Sequence, residues 1–537
     1  MQTLDKKDIM NLLEERFRND AFKKIQEIPH PSQLAGLHEA VDIIIDAIHH
    51  SQKIVIIGDY DVDGVIGTTL LCNFFQAINY PIHFIIPNRF TDGYGLSTNI
   101  IERIDADLII TVDNGITATQ AATLCKEKKI KLIITDHHTC PEELPNADVI
   151  VNPKLPYCPF PQKDICGANV GWYLIAALRQ KLKPDYSIIQ SLDILSFAIV
   201  ADVMPLVGIN RILLKKGLEI FKHSNRPAII LLRDKIQQKS GKLDFNSEDI
   251  AFNIAPLLNS AGRMEDASIS VAFLMSQTLE EAKIHYERLN TLNCMRKQEE
   301  KDLFKSALIQ IQEKCTPTDC VVIAYDRNWH EGVIGIVAAK MSEYFRKPSF
   351  ILTFNENGLL KGSGRSFGEI NLISLLQQNS HLLYKFGGHK GAVGFEMDIK
   401  NIPAFKENLN QILAHYSLHT ASVSTNKHCI GEVFLKNIDN ELMNILETFE
   451  PYGEANPKPH FFCKKLIIKG IRNVGNNNEH TSLTLYEQDS KYFLKAIAFN
   501  QQYHFKIGEC VDSLFCLTRN SYYEPQLVIE SLQENRG

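Results

Sequence analysis

KIVIIGDYDVDGVIGTTLLCNFFQAI (53–78) decides the fold. Its first six residues hold four β-branched apolar side chains, which reads as a buried strand. The strand ends in the acidic turn GDYDVDG, and the chain leaves that turn with helical spacing. Four more apolar runs follow: IHFIIP (82–87), ADLIITVD (106–113), IKLIITD (130–136) and ADVIVNP (147–153). Strands alternating with helices predict a parallel sheet covered on both faces. Ligands of such sheets collect at the carboxyl ends of the strands. Asp59, Asp61 and Asp63 follow the first strand, Asp113 ends TVD, and Asp136, His137 and His138 end ITDHH. Asp202 ends SFAIVAD, read here as a further strand-like run.

Asp59, Asp61 and Asp63 occupy alternate positions, so in an extended segment their carboxylates face one way. Six carboxylates and two imidazoles on one sheet edge repel unless cations lie among them. Asp and His ligands without a thiolate suit Mn²⁺ or Mg²⁺ better than a structural zinc, and they suffice for two ions sharing a bridging carboxylate. Taken singly, each Asp is as readily a helix cap or turn former, and an HH pair is commonly surface or satisfied core. DxDxDG also fits the start of an EF-hand loop, but loop position 12 is Leu70 where a bidentate Glu is needed.

The 537 residues suggest three or four domains. Apolar residues make up 45% and charged residues 22%, ordinary for a globular chain, and no apolar run reaches the length of a membrane span. MQTLDKKDIMNLLEERF reads as an amphipathic helix and not as a secretory signal. The net charge of −6 does not mark a nucleic-acid binder, yet an acidic metal site can hide a local basic track. None of the 12 cysteines forms CxxC, which fits a reducing cytoplasm and argues against a zinc ribbon. A dinucleotide fingerprint is absent, because the first turn carries acids that would repel a pyrophosphate.

Beyond the first sheet, 211–235 is helical and 278–314 reads as a long charged connecting helix. A second α/β unit runs from DCVVIAYD (319–326) to about 415, and SLHTASVSTNKHCIG (417–431) reads as a linker. The runs KKLIIKGI, HTSLTLYE, YFLKAIAF and PQLVIESL then suggest a small β-barrel. The expected division is 1–210 for the N-terminal helix and first α/β domain, 211–315 for a helical connector, 316–416 for the second α/β domain and 425–537 for the β domain.

GDYDVDG, TVDNG, ITDHH and SFAIVADVMPL together resemble the DHH phosphoesterase superfamily. NIAPLLNSAGRM (253–264), WHEGVIGIVAAKMSEYFRKPSFIL (329–352), GSGRSF (362–367) and GGHKGAVGF (387–395) narrow the resemblance to the RecJ single-strand-specific exonucleases, over nearly the whole chain. It implies a parallel-sheet DHH domain and a DHHA1 domain joined by a long helix, with a C-terminal all-β OB-like domain. It also implies two divalent ions, Mn²⁺ or Mg²⁺. Asp61 and Asp63 would ligate separate ions, Asp113 would bridge them, His137 and Asp202 would complete the second site, and Asp59 would lie close to the first. His138 would touch the scissile phosphate, and Asp136 would orient His137 or stabilise its loop. Arg89, Ser363 and Arg365 would hold a 5′-terminal phosphate, with Tyr94, Arg263, His330 and His389 as further substrate contacts.

The implied activity is 5′-to-3′ hydrolysis of single-stranded DNA to 5′-mononucleotides, in DNA repair and recombination. The enzyme would be a cytoplasmic monomer assisted by a helicase and a single-strand-binding protein, with no membrane partner. The chain departs from the family in three places. Gly364 stands where GSARS has Ala, Leu257 where an Arg is common, and PYGEANP (451–457) where PFGxGNP is usual. Two other readings are open. One is another enzyme of the superfamily, such as a pyrophosphatase, an oligoribonucleotidase or a cyclic-dinucleotide phosphodiesterase, which usually lacks the long helix and the barrel. The other is a catalytically silent single-strand-binding module, against which the full set of acids and His argues.

Overall fold

A computed structural model describes residues 2–241, 245–314, 316, 318–414, 429–475, 478–488, 492–520 and 522–535. The expected linker 417–431 lies outside the described residues up to 428; Cys429 already opens a strand. The chain forms two compact units, one of Met1–Pro256, Val271–Lys283 and Asn426–Gly537, the other of Leu257–Ser270 and Ile284–Thr425. The expected connector 211–315 is thus divided between them. Its long helix, Leu279–Lys314, starts in the first unit and continues in the second. No helix among the described residues is long and apolar enough to cross a membrane.

All five N-terminal apolar runs form strands of the first unit: β1 (Ile54–Ile57), β2 (His83–Ile85), β3 (Leu108–Val112), β4 (Lys131–Thr135) and β5 (Val149–Val151). They pair in parallel in the order β2-β1-β3-β4-β5. β1 and β3 are buried at every position, as strands covered on both faces must be. The order reverses between β1 and β3, so a crevice opens beyond their carboxyl ends, where Asp59–Asp63 and Asp113 lie.

Two local expectations change. The helix Val62–Ala77 begins inside the acidic turn, with Asp61 as its N-cap and Asp63 in its first turn. The three acids therefore do not lie along one extended segment. Asp202 caps the carboxyl end of the helix Leu192–Ala201 and does not end a strand. The run SFAIVA is buried nearly throughout, and burial on all sides leaves no period to separate helix from strand.

The C-terminal β domain belongs to the same unit. After β11 (Cys429–Glu432) come β12 (His460–Val474), β13 (His480–Glu487), β14 (Phe493–Ala498), β15 (Cys510–Arg519) and β16 (Pro525–Glu534). The order β12-β13-β14-β16-β15 closes through β12–β15 pairing into a five-stranded barrel, with β11 added beside β12. β15, whose run CVDSLFCLTR mixes polar and apolar residues, was not among the expected strands. The N-terminal helix Lys6–Glu15 packs here and not on the parallel sheet: Leu4, Ile9 and Leu13 sit in the barrel core. Lys6 reaches Asp439 at 2.6 Å and Glu441 at 2.5 Å. Leu13→Ala should therefore destabilise the barrel by about 2–5 kcal/mol. Denaturant unfolding followed by hydrogen exchange checks this, with protection lost in β12–β16 before β1–β5.

The second unit holds the mixed sheet β6 (Val322–Tyr325), β7 (Ser349–Phe354), β8 (Leu360–Arg365), β9 (Leu383–Gly388) and β10 (Ala392–Met397), in the order β6-β7-β8-β10-β9. One face packs on Leu372, Leu376, Phe405 and Leu409. The other packs on the helix Glu331–Phe345 and on Leu303, Ala307 and Ile311 of the long helix.

Candidate metal centre and phosphate contacts

β3 ends at Asp113, which takes the left-handed conformation at φ 62°. Non-glycine residues adopt it at a cost that Asp and Asn tolerate best. The Asn114 side chain pins the turn, donating to the Ile57 and Val112 carbonyls at 3.0 and 2.8 Å. Asp113 Oδ1 lies 3.1 Å from His137 Nε2, which is also 3.7 Å from Asp63 Oδ2 and 3.5 Å from Asp202 Oδ2. The donors fall into overlapping groups: Asp59, Asp61 and Asp113; Asp63, His137 and Asp202; and Asp113, His137 and His138. All of the sequence-expected acids and imidazoles converge except Asp136, which belongs to none of these groups.

Asp136 is turned to the protein. Its Oδ1 accepts from the His137 and His138 amides at 2.7 and 3.1 Å and from His138 Nδ1 at 2.7 Å, and its Oδ2 accepts from the Ile116 amide at 2.9 Å. Its side chain holds the His138 ring and only the backbone of His137, so the ring it orients is His138 and not the expected His137. Burial opposes its charge, but these bonds prevail and hold the carboxyl below its usual range.

Asp63 is held by residues that the sequence did not single out. The amides of Gly167 and Ala168 donate to its two oxygens at 2.5 and 2.8 Å, at the start of the helix Gly167–Leu182. The Cys166 thiol also donates to it. A small-residue run after a cysteine, CGANVG, is the only trace of this clamp in the sequence.

Burial and mutual repulsion raise the acids. Burial, then Asp61, brings Asp63 up to about 6; burial, then Asp63, brings Asp202 up to about 8. Asp59 and Asp113 are pushed well above the usual carboxylate range for the same reasons. Burial drops His137 to about 3, so it is a neutral donor at ordinary pH. His138 moves the other way: burial opposes its charge, but the bond to Asp136 carries it to about 9.

These donors fit divalent cations. Asp59 Oδ1, Asp113 Oδ1, Asp202 Oδ2 and His137 Nε2 are buried without a hydrogen-bond partner. Such orphaned groups are costly unless something not in the chain satisfies them. Hard oxygens with neutral imidazole match Mn²⁺ or Mg²⁺.

The pH dependence follows. From about 6.5 to 9, His137 is neutral folded or unfolded, while folded Asp202 and His138 keep protons that the unfolded chain has released. The unfolded state then binds fewer protons, so the metal-free protein loses stability as pH rises through this window. In EDTA the Tm should fall from pH 6.5 to 9. Added Mn²⁺ should displace protons and bind roughly tenfold tighter per pH unit for each proton released. Calorimetry in buffers of different ionisation enthalpy measures that release.

A row of rings leads away from the acids. Arg89 lies 4.1 Å from the Tyr60 ring centre, Tyr60 meets Tyr94 edge-on at 6.2 Å, and Tyr94 meets His138 at 6.0 Å. Tyr94 Oη donates to the Asp113 carbonyl at 3.3 Å. Arg89 Nε is buried with no hydrogen-bond partner among the described residues, as expected of a group awaiting an anion.

The other expected contacts lie in the second unit. Arg365 Nη1 donates to Ser363 Oγ at 2.9 Å and to the Gly364 carbonyl at 2.8 Å. Both face the helix Glu331–Phe345 at Gly335, where a Cβ would come within 3.0 Å of Arg365 Nη2 and 3.1 Å of Ser363 Oγ. His330 caps that helix by accepting from the Gly332 amide, and Arg263 donates to the Gly332 carbonyl at 3.1 Å. His389 lies in the β9–β10 turn, its amide bonded to the carbonyl of Ala392, the strand partner of Arg365. GSGR forms strand β8, and Arg263 lies at the end of the helix Ala255–Met264. The departure at Gly364 has a packing cause, since a methyl there would meet Phe350 at 2.6 Å and Val393 at 2.7 Å.

Three family models match the chain. The DHH family, N-terminal domain, matches residues 53–199, the DHHA1 domain 318–415 and the RecJ OB domain 431–530. Fold and donor set together define a metal-dependent DHH–DHHA1 phosphoesterase. The single-stranded-DNA-specific exonuclease RecJ of Haemophilus influenzae is 32% identical over 503 residues, covering 89% of this chain and 86% of that protein. RecJ of Bacillus subtilis is 33% identical over 480 residues, 88% of this chain but only 59% of that longer protein. The crystal structure of RecJ from Thermus thermophilus in complex with Mn²⁺ superposes with a TM-score of 0.79 at 26% identity, covering 100% of this chain and 80% of that one. The chain belongs to the RecJ family of single-stranded-DNA-specific exonucleases.

Proposed function

We propose that this chain degrades single-stranded DNA from the 5′ end, releasing 5′-mononucleotides with the help of two divalent ions. Exonuclease activity on single-stranded DNA and the use of Mn²⁺ or Mg²⁺ are those of its family. The observation that carries the reading is the set of buried, partnerless donor atoms on Asp59, Asp113, His137 and Asp202. Asp59, Asp61 and Asp113 would hold one ion, and Asp63, His137 and Asp202 the other, with Asp113 shared. Bound there, such ions supply activation of water and neutralisation of phosphodiester charge.

The chain's own groups do the rest. Asp136 keeps His138 protonated, so its imidazolium can donate to a phosphate oxygen. Arg89, Ser363 and Arg365 would receive the terminal phosphate, Arg by its planar fork. Arg263, Tyr94, His330 and His389 are proposed as further strand contacts. The setting proposed is the cytosol beside DNA under repair, as a monomer served by a helicase and a single-strand-binding protein.

With Mn²⁺, a strand blocked at its 3′ end should be digested and one blocked at its 5′ end spared. Arg365→Ala should raise KM and abolish the preference for a 5′-phosphate over a 5′-hydroxyl. Digestion only from the 3′ end would overturn the polarity, and preference for a dinucleotide over a long strand would favour the oligoribonucleotidase reading.

A further inference from the structure

Val203, the residue after Asp202, is β-branched yet sits in the left-handed region at φ 53° with 62% of its surface exposed. Bulky residues rarely adopt this backbone, and it persists only where the surroundings impose it. Phe252 is 76% exposed at the centre of the π-helical turn Ile250–Ile254, whose end residues Ile250 and Ile254 are buried. Such turns are uncommon and concentrate at functional sites. Between the two lies a cleft of about 310 Å³, lined by Ile199, Val203, Met204 and Phe252 and, from the β domain, by Tyr452 and Lys458. The cation at its rim is already paired, Lys458 with Glu248 at 3.0 Å.

We infer that this cleft seats a base of the single strand next to the metal centre, with Phe252 as its stacking platform. The inference rests on the exonuclease reading and adds to it where the strand runs. Within this unit the cleft starts at Val203, one residue from the proposed metal ligand Asp202, and ends on Tyr452 and Lys458 of the OB domain. Its chemistry selects bases over backbone, because its walls are mostly apolar, its one lysine is neutralised by Glu248, and Glu454 adds a carboxylate that repels a phosphate. Its size is at the lower end of pockets that take small organic groups. Stacking on an aromatic face makes no base-specific hydrogen bond, which suits an enzyme that must digest any sequence.

The test uses the full-length protein and Phe252→Ala, with Phe252→Trp as the conservative variant. Because Phe252 is exposed, the alanine chain should fold, which circular dichroism confirms. In EDTA, where the strand stays intact, 2-aminopurine is placed at successive positions of a 5′-phosphorylated oligonucleotide. Wild type should quench it at one position, Phe252→Ala should lose that quenching and Phe252→Trp should keep it. With Mn²⁺, Phe252→Ala should raise KM at least fivefold with kcat within twofold. An abasic nucleotide at the quenched position should raise the wild-type KM similarly but leave that of Phe252→Ala unchanged, a coupling that a merely structural role would not produce. A Phe252→Ala chain with KM within twofold of wild type and unaltered quenching overturns the assignment while leaving the exonuclease reading intact. A wild type that does not digest single strands in Mn²⁺ sinks that reading, and the assignment with it.

Discussion

Asp113→Asn is expected to lower the rate of strand cleavage by at least ~10²–10³, the scale of losing one strong electrostatic contact to the reacting centre. Asp113 is shared between donor groups, being close to Asp59 and Asp61 on one side and 3.1 Å from His137 on the other. Asn is the informative replacement because it tolerates the left-handed backbone at φ 62°. The variant should still bind single-stranded DNA, because no other proposed strand contact is touched. Its metal-free form should gain stability, because one of several buried acids that repel each other is gone. Kinetics in Mn²⁺, a filter-binding assay and thermal unfolding in EDTA give the three readouts. Near-wild-type turnover would remove Asp113 from the shared position.

Gly167→Ala is expected to be nearly as damaging, though Gly167 carries no functional side chain. A methyl there would lie 2.5 Å from Asp113 Cβ and 2.6 Å from its Oδ1, while the same residue's amide donates to Asp63 at 2.5 Å. One added carbon would shift both proposed ligands. Overpacking should cost about 1–3 kcal/mol of stability, and a misplacement of about 1 Å at a reacting centre costs ~10² in rate. Gly171→Ala on the same helix is the control. Its nearest neighbour would be Val112 Cγ1 at 3.9 Å, an ordinary contact, so activity should be retained. Stability there should rise by up to about 1 kcal/mol from the better helix propensity of Ala. Equal behaviour of the two variants would show that space at Gly167 is not what matters.

Much of this could be read from the residues in order. The five parallel strands were legible because each is a short β-branched run closed by a polar turn, a local signal that burial on both faces strengthens. The grouping of Asp59, Asp61, Asp63, Asp113, His137 and Asp202 was legible because acids and an imidazole recur together at the ends of successive apolar runs, although each alone could be a cap or turn former. The barrel was legible except for β15, where alternating polar residues mask the strand.

What a residue touches across long separations was decided only by folding. Asp202 comes to the site from a helix end, and Asp61 and Asp63 part company because a helix starts between them. Leu4, Ile9 and Leu13 fill the core of a domain that begins more than 400 residues later. The amides that grip Asp63 belong to Gly167 and Ala168, 104 and 105 positions away, and a backbone N–H is the same in every sequence. Periodicity and composition act along the chain and so can be read there. Repulsion among buried acids, the room for a methyl and the choice of hydrogen-bond partner depend on distance in space, which exists only once the chain has closed on itself.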